Sequence, residues 1–194
     1  MKVLILFFSF IIYITPISLR CQIEINDSSK ASYDKYFPVI EQLNKKYSLL
    51  SLTEKGSDFN DFEIRVWQLS QNLCLATIID STSEGLKIYY IDDSFNIFKY
   101  FLKPLGFFMP QKEEILDQSI CSIVWGKLLE NDILSLPDEM ENYTIDGILY
   151  LVEIKSKDTY RCYGYLNPEF FNTPDTKKIT NIIEIINKEI FARN

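Results

Sequence analysis

The sequence contains no histidine among its 194 residues. Histidine is the commonest general base near neutral pH and the commonest nitrogen ligand of protein-bound metals. Its absence excludes serine–histidine hydrolases and zinc sites with histidine ligands. Glycine is also scarce, with six residues, and neither a P-loop nor a dinucleotide-binding glycine motif occurs. The sequence therefore predicts a protein that is not an enzyme, with no catalytic residue, no metal site and no cofactor.

Basic residues are outnumbered, because 20 Lys and Arg stand against 27 Asp and Glu, a formal net charge of −7. Binding to a nucleic-acid backbone needs clustered Lys and Arg that displace counterions. The longest basic runs are the pairs Lys45-Lys46 and Lys177-Lys178, and each lies in a predicted helix where a solvated face accounts for it. We therefore expect no nucleic-acid partner.

The N-terminus carries an apolar run from Val3 to Ile14, which follows Lys2 and is ended by Pro16. A positive start, about a dozen apolar residues and a helix breaker are typical of a signal peptide, and we expect cleavage after Cys21. An uncleaved membrane anchor is the alternative, although a spanning helix needs ~20 predominantly apolar residues. The prediction is an exported protein, periplasmic or secreted, with a signal peptide over 1–21 and no membrane span after cleavage.

Cys21 also stands where a bacterial lipoprotein carries its acylated cysteine. The residues before it are Leu19 and Arg20, where small residues are usual, so a lipid anchor at Cys21 is a second alternative. Cleavage after Cys21 would leave 18 basic and 27 acidic residues, a net charge of −9. An acidic chain of this kind suits solubility and the electrostatic capture of a basic partner.

Three cysteines follow the leader, and an odd number allows at most one disulfide. None belongs to a C-x-x-C pair, and a nucleophilic cysteine would need a neighbouring base. Free cysteine most often behaves as a small buried hydrophobe. We expect Cys74, Cys121 and Cys162 to be core residues, and a single disulfide between two of them is the alternative.

Hydrophobic spacing predicts three helices in a single domain that spans residues 33–194. Polar residues 22–32 are predicted to be a flexible tether between the leader and this domain. The apolar period of an α-helix appears over Pro38–Tyr47, over Asp117–Glu130, and after Thr173-Pro174, where isoleucines recur on one face.

β-branched and aromatic segments separated by polar turn clusters predict a four-strand meander and a later hairpin. Blocks of strands with helices between them indicate an α+β fold, in which the antiparallel meander and the C-terminal hairpin are packed by about three helices. We expect the helices to cover mainly one face of the sheet. The predicted strands are Phe62–Leu69, Leu73–Ile79, Leu86–Ile91, Phe95–Leu102, Gly147–Lys155 and Thr159–Leu166.

The C-terminal hairpin holds the candidate binding site. A three-residue turn, Ser156 to Asp158, would place Glu153 directly opposite Arg161. Tyrosine and arginine are favoured at interface hot spots, so such a face could hold a small ligand or an envelope protein partner. A cross-strand ion pair beside aromatic side chains, covered by a helix, is the structural alternative. The predicted binding face consists of Glu153, Arg161, Tyr163 and Tyr165.

The same hairpin resembles a signature of exported proteins of unknown function from Gram-negative bacteria with complex envelopes. The residues that carry the resemblance are Asp146–Ile154, Tyr160–Tyr165 and Asn167–Glu169, and the stretch Trp125–Pro137 resembles the helix that precedes the hairpin in those proteins. The resemblance covers about the last 80 residues. It implies a location in the bacterial envelope and carries no activity with it.

These observations favour a non-enzymatic exported binding domain of the bacterial envelope that acts through the sheet near Arg161 and Tyr163. One alternative is a periplasmic immunity or inhibitor protein that neutralises a basic toxin or enzyme by acidic complementarity. Another is a carboxylate-dependent hydrolase, since two acidic side chains need only be close together in the fold.

Overall fold

A computed structural model describes most of the chain after residue 23 as one α+β domain. Its strands are β1 (Glu24–Ile25), β2 (Phe62–Leu69), β3 (Cys74–Thr82), β4 (Gly85–Asp92), β5 (Glu113–Ile115), β6 (Leu149–Ser156) and β7 (Thr159–Leu166). Its helices are α1 (Asp27–Lys46), α2 (Gln118–Glu130) and α3 (Pro174–Glu189). The described residues are 24–25, 27–55, 62–71, 73–82, 85–93, 113–115, 117–138, 147–157 and 159–193.

The strands form one sheet in the order β1-β7-β6-β2-β3-β4-β5. The five long strands β2, β3, β4, β6 and β7 pair antiparallel with one another. The short strand β1 pairs with β7 in parallel. The α+β prediction is confirmed, as are the first three strands of the meander and the C-terminal hairpin. The short strand β5, which pairs with β4, was not predicted. The predicted strand Phe95–Leu102 lies outside the described residues.

The two C-terminal helices begin where their capping residues predict. Asp117 Oδ1 accepts a hydrogen bond from the Ser119 amide at 2.9 Å, and α2 follows. Thr173 Oγ1 accepts from the Thr176 amide at 3.1 Å, and Pro174 opens α3. Side-chain acceptors satisfy amide groups that a helix start leaves unpaired. The buried face of α3 is the predicted isoleucine stripe: Ile179, Ile182, Ile183 and Ile186, continued by Ile190.

Helix α1 begins eleven residues before the predicted start at Pro38, so the prediction of a flexible tether is wrong for residues 27–32. Ser32 is buried, and its hydroxyl donates to Asp138 Oδ2 at 2.7 Å. Pro38 lies inside the helix, on its exposed side, where its missing amide costs one backbone hydrogen bond. The polar residues before Tyr33 show no apolar period, and a contact with a distant segment holds them in the helix.

Both faces of the sheet are covered, which corrects the expectation of a sheet covered mainly on one face. Helix α1 and the segment 47–55 cover one face, here called the α1 face, and α2 and α3 cover the other, the α2–α3 face. Strand β2 is buried over six consecutive residues, 63–68, and β6 over 150–155. Neither strand therefore has a side open to water over these residues, so their exposure does not alternate from residue to residue.

Cys74, Cys121 and Cys162 are free thiols. Cys121 is buried on the α2–α3 face and Cys162 on the α1 face, which confirms the core prediction for these two. Cys74 is half-buried. Among the described residues, no helix is long and apolar enough to cross a bilayer.

Candidate functional site

The register of the C-terminal hairpin divides the predicted binding face between the two sides of the sheet. Ser156 pairs directly with Thr159, so the turn has two residues, and Lys157 adopts the positive φ of 43° that such turns favour. Glu153 therefore lies opposite Cys162, and the prediction that it faces Arg161 is wrong. Because side chains alternate along a strand, a shift of one residue moves each of them to the other face.

Arg161 lies on the α2–α3 face, where it holds the segment that follows α2. One terminal nitrogen of its guanidinium donates to the Leu134 carbonyl at 2.6 Å, and the other donates to the Leu136 carbonyl. The guanidinium carbon lies 5.2 Å from the centre of the Tyr163 ring. A planar fork of donors suits two neighbouring acceptors, so this one side chain fixes the path of the segment.

Two tyrosines of β7 bind carbonyls of the same segment that flank those bound by Arg161. Tyr163 is fully buried, and its hydroxyl donates to the Ile133 carbonyl at 2.6 Å. Burial raises the pKa of Tyr163, so its phenol stays protonated and remains a donor. The Tyr165 hydroxyl donates to the Pro137 carbonyl at 2.8 Å. Three of the four predicted binding residues thus bind a peptide segment, and that segment belongs to the chain itself.

Asp138 ends this segment and joins three parts of the fold. Its Oδ1 accepts from the Gly164 amide at 2.8 Å and from the Tyr36 hydroxyl at 3.3 Å, while its Oδ2 accepts from Ser32. Gly164 leaves room for the Tyr36 ring, because a Cβ at that position would lie 2.6 Å from the ring carbon and the hydroxyl oxygen. The contact therefore requires glycine in the middle of β7.

The fourth predicted residue, Glu153, belongs to a cluster of buried charges on the α1 face that sequence reasoning missed. Glu63 and Arg65 of β2 and Glu153 and Lys155 of β6 are each at most 3% exposed. The strand register places Glu63 opposite Lys155 and Arg65 opposite Glu153. Opposite charges therefore alternate both along each strand and between the two strands. We call these four residues the buried charge cluster.

Arg65 links this cluster to the layer above it. Its Nε donates to Glu63 Oε1 at 2.7 Å, and its terminal nitrogens donate to Asn44 Oδ1 at 2.6 Å and to the Leu50 carbonyl at 2.7 Å. The Lys55 ammonium pairs with the other oxygen of Glu63. Groups of the covering layer thereby supply two acceptors to Arg65 and a cation to Glu63, and burial of charged groups requires such partners.

Glu153 is fully buried and is bonded to two uncharged donors of the sheet. The Trp67 indole donates to its Oε2 at 2.8 Å, and the Tyr160 hydroxyl donates to its Oε1 at 3.1 Å. Burial raises the pKa of Glu153 above its ordinary value, although the charge of Arg65 and both hydrogen bonds act in the opposite direction. The neutral carboxyl is the form that a dry, apolar environment favours.

Within the described residues, Glu63 and Glu153 are two acids that lie near each other on neighbouring strands, and both are covered by α1 and the segment 47–55. The carboxylate-dependent hydrolase stays an alternative prediction. Burial also raises the pKa of the Cys74 thiol and raises that of Cys162 to about 12. These thiols stay protonated near neutral pH, whereas a cysteine nucleophile acts as the thiolate.

Three large aliphatic side chains in α2 and in the stretch just after it are exposed. Ile123 is 53% exposed and Leu129 is 41% exposed, and Leu134, just after the helix, is 42% exposed. The charged residues of α2 are Lys127 and Glu130, and Lys127 pairs with Glu189 of α3 at 2.8 Å. We call Ile123, Leu129 and Leu134 the α2 outer face. Its third member sits in the segment that Arg161 fixes.

In the part of the chain that the structure describes, no group of three acidic or cysteine side chains is placed to hold a metal ion. No family model and no curated protein matches this chain. The resemblance of the last 80 residues to exported envelope proteins therefore stays a prediction. Cys21, the predicted lipidation site, lies outside the described residues.

Proposed function

We propose that this protein is a non-enzymatic exported domain of the bacterial envelope that binds a protein partner through the α2 outer face. The observation that carries the proposal is the exposure of three large aliphatic side chains within residues 123–134, in a chain of net charge −7. Large exposed apolar side chains are candidates for burial at a protein interface. The apolar run at the N-terminus supports export.

The surroundings of this face suit the rim of a protein interface. Gln118, Ser119 and Ser122 are exposed on α2, and a Cβ added at Gly126 would touch nothing within 4 Å. Uncharged polar and small side chains lose little solvation on contact, whereas buried unpaired charges lose much. A partner with an apolar pocket or helix face would therefore be the favoured occupant.

Arg161 and Tyr163 support this face and do not contact the partner. Their hydrogen bonds to the carbonyls of Leu134 and Ile133 set where the Leu134 side chain emerges. They are positioning residues in this proposal. The binding surface that we predicted near these two residues then lies on the segment that they hold, which covers them.

The test is capture of a partner from the native envelope by the purified mature chain. Ile123→Glu places a charge at the most exposed residue of the α2 outer face, and we expect it to weaken binding about 30-fold or more, as loss of ~2 kcal/mol at a hot spot would. Phe170→Glu is the matched control, since Phe170 is 74% exposed in the turn after β7. The control should bind as the wild-type chain does, and both variants should keep its melting temperature.

Capture that survives Ile123→Glu would contradict the proposed face. If such capture also falls steeply with added salt, it would favour the acidic inhibitor or immunity alternative, because exposed charges are screened within ~10 Å at 0.1 M salt. Equal loss of binding in the Ile123 and Phe170 variants would show that the effect is not local to α2.

A further inference from the structure

The α1 face contains a titratable group that the proposed binding function does not use. Glu153 is fully buried between β2 and β7 in the sheet, and the layer above it consists of α1 and the segment 47–55. We call this layer the cover. The cover meets the sheet through a mixture of apolar and charged contacts, in contrast to the continuous isoleucine packing of α3 on the other face.

We propose that the attachment of the cover to the sheet is controlled by a proton on Glu153, so that loss of this proton as the pH rises opens the cover and exposes the α1 face of the sheet. The device is independent of the α2 outer face, which lies on the opposite side of the molecule. It would make an apolar surface of this exported protein available in response to pH.

The geometry around Glu153 indicates that water would reach it most easily through an opening of the cover. Strand β6 is bonded along its length to β2 on one side and to β7 on the other, so an opening within the sheet would break two ladders. An opening of the cover leaves both ladders intact. It breaks the bonds from Arg65 to Asn44 and to the Leu50 carbonyl, the ion pair between Lys55 and Glu63, and the polar and apolar contacts that the cover makes outside the charge cluster. Local openings follow the least costly set of contacts.

The charges facing Glu153 come from every element packed around it. Arg65 on β2 favours the ionised carboxylate, and Glu63 on the same strand opposes it. Arg65 donates hydrogen bonds to Glu63, Asn44 and the Leu50 carbonyl, so its charge is shared between Glu153 and these acceptors. Lys55 of the cover pairs with Glu63. The remaining titratable neighbours are Lys155 on β6, Tyr160 and Cys162 on β7, and Tyr33 on α1, whose ring lies 5.5 Å from that of Tyr160.

Several of these neighbours keep their protons through the neutral range. Burial raises the pKa of Tyr160 and of Tyr33, and raises the pKa of Cys162 to about 12. The pKa of Glu153 is raised as well, from an ordinary value of 4.5. Above pH 4.5 an open state that hydrates Glu153 releases its proton before the closed state does. The population of the open state therefore rises with pH until the closed state also ionises.

Two cysteines on opposite faces report this opening within a single molecule. Cys162 is buried beneath the cover, 2% exposed, and Cys121, on the buried side of α2, is fully buried in the core of the other face. The purified mature chain is pulsed with a thiol reagent between pH 5 and pH 8, and labelling of each cysteine is read from its peptide by mass spectrometry. Reaction of any exposed thiol speeds up with pH, so the ratio of Cys162 to Cys121 labelling isolates the opening of the cover.

We expect this ratio to rise with pH, by at most about tenfold per pH unit for release of one proton. Glu153→Gln keeps the size of the side chain and cannot ionise, so its ratio should be independent of pH. Asn44→Ala removes one bond between Arg65 and the cover. It should raise the ratio at every pH and leave its pH dependence unchanged.

A ratio that stays constant from pH 5 to pH 8 in the wild-type chain would overturn the proposal, and this measurement needs no variant to fold. A pH dependence that persists in Glu153→Gln would overturn it too, because another group would then carry the proton. Parallel labelling of Cys162 and Cys121 would show unfolding of the whole domain and would likewise refute a separate opening of the cover.

Discussion

Removal of the Tyr163 hydroxyl tests whether β7 holds the segment after α2 in place or presents an open binding face. In Tyr163→Phe the ring stays and no cavity forms, so the change is confined to the bond of 2.6 Å to the Ile133 carbonyl. Tyr163 is fully buried, and Ile133 is fully buried as well. A buried acceptor that loses its partner costs about 1–3 kcal/mol. We therefore expect the free energy of unfolding to fall by about 2 kcal/mol.

The assay is thermal and urea-induced unfolding of the mature chain. For a domain of this size, 1 kcal/mol shifts the melting temperature by ~2–4 °C, so Tyr163→Phe should melt about 4–8 °C lower. Tyr165→Phe is the matched control, since its bond to the Pro137 carbonyl is only partly buried and water can replace it. We expect it to lose less than half as much stability. Unchanged stability in Tyr163→Phe, with loss of partner capture, would refute the structural role of this bond. It would indicate that β7 contacts the partner directly.

Three further predictions concern other parts of the fold. Gly164→Ala should destabilise the domain by at least ~1–3 kcal/mol in urea unfolding, because overpacking against Tyr36 must displace a ring that lies 2.6 Å from the added Cβ; stability within 0.5 kcal/mol of wild type would contradict this close contact. Thr173→Ala removes the cap of α3 and should cost about 1 kcal/mol, seen as a lower melting temperature, whereas Thr173→Ser should keep the cap. The wild-type chain should lose stability as the pH rises above 4.5 because the native state holds the Glu153 proton longer than the unfolded state. Glu153→Gln should abolish that slope, which is at most about 1.4 kcal/mol per pH unit, and an equal slope in both proteins would exclude Glu153 as its source.

The sequence predicted the elements whose signals are local. Thr173, Pro174 and the isoleucine stripe define the start and the buried face of α3 within a short stretch of chain. Asp117 likewise marks the start of α2. Capping bonds and apolar period depend on residues a few positions apart, so tertiary context changes them little.

The site was harder to predict because the length of one turn, two residues or three, decides which side chains share a face. The polar cluster Ser156-Lys157-Asp158 is compatible with a turn of three residues or of two. The pairing of Ser156 with Thr159 selects two, and this moves Glu153 away from Arg161 to the opposite face. Sequence composition identified the residues with polar and aromatic character, but their distribution over the two faces depended on the register.

Burial of the charge cluster was decided by tertiary structure alone. Glu63 and Arg65 alternate with apolar residues on β2, which is the pattern of a strand with one wet face. They are buried because Asn44, the Leu50 carbonyl and Lys55 arrive from another part of the chain to bond them. The sequence by itself determined α2, α3, the five long strands and the acidic, histidine-free chemistry. Which face each charged side chain occupies, and whether water reaches it, depended on partners distant in sequence, because a charge is stable in a protein interior only where those partners meet it.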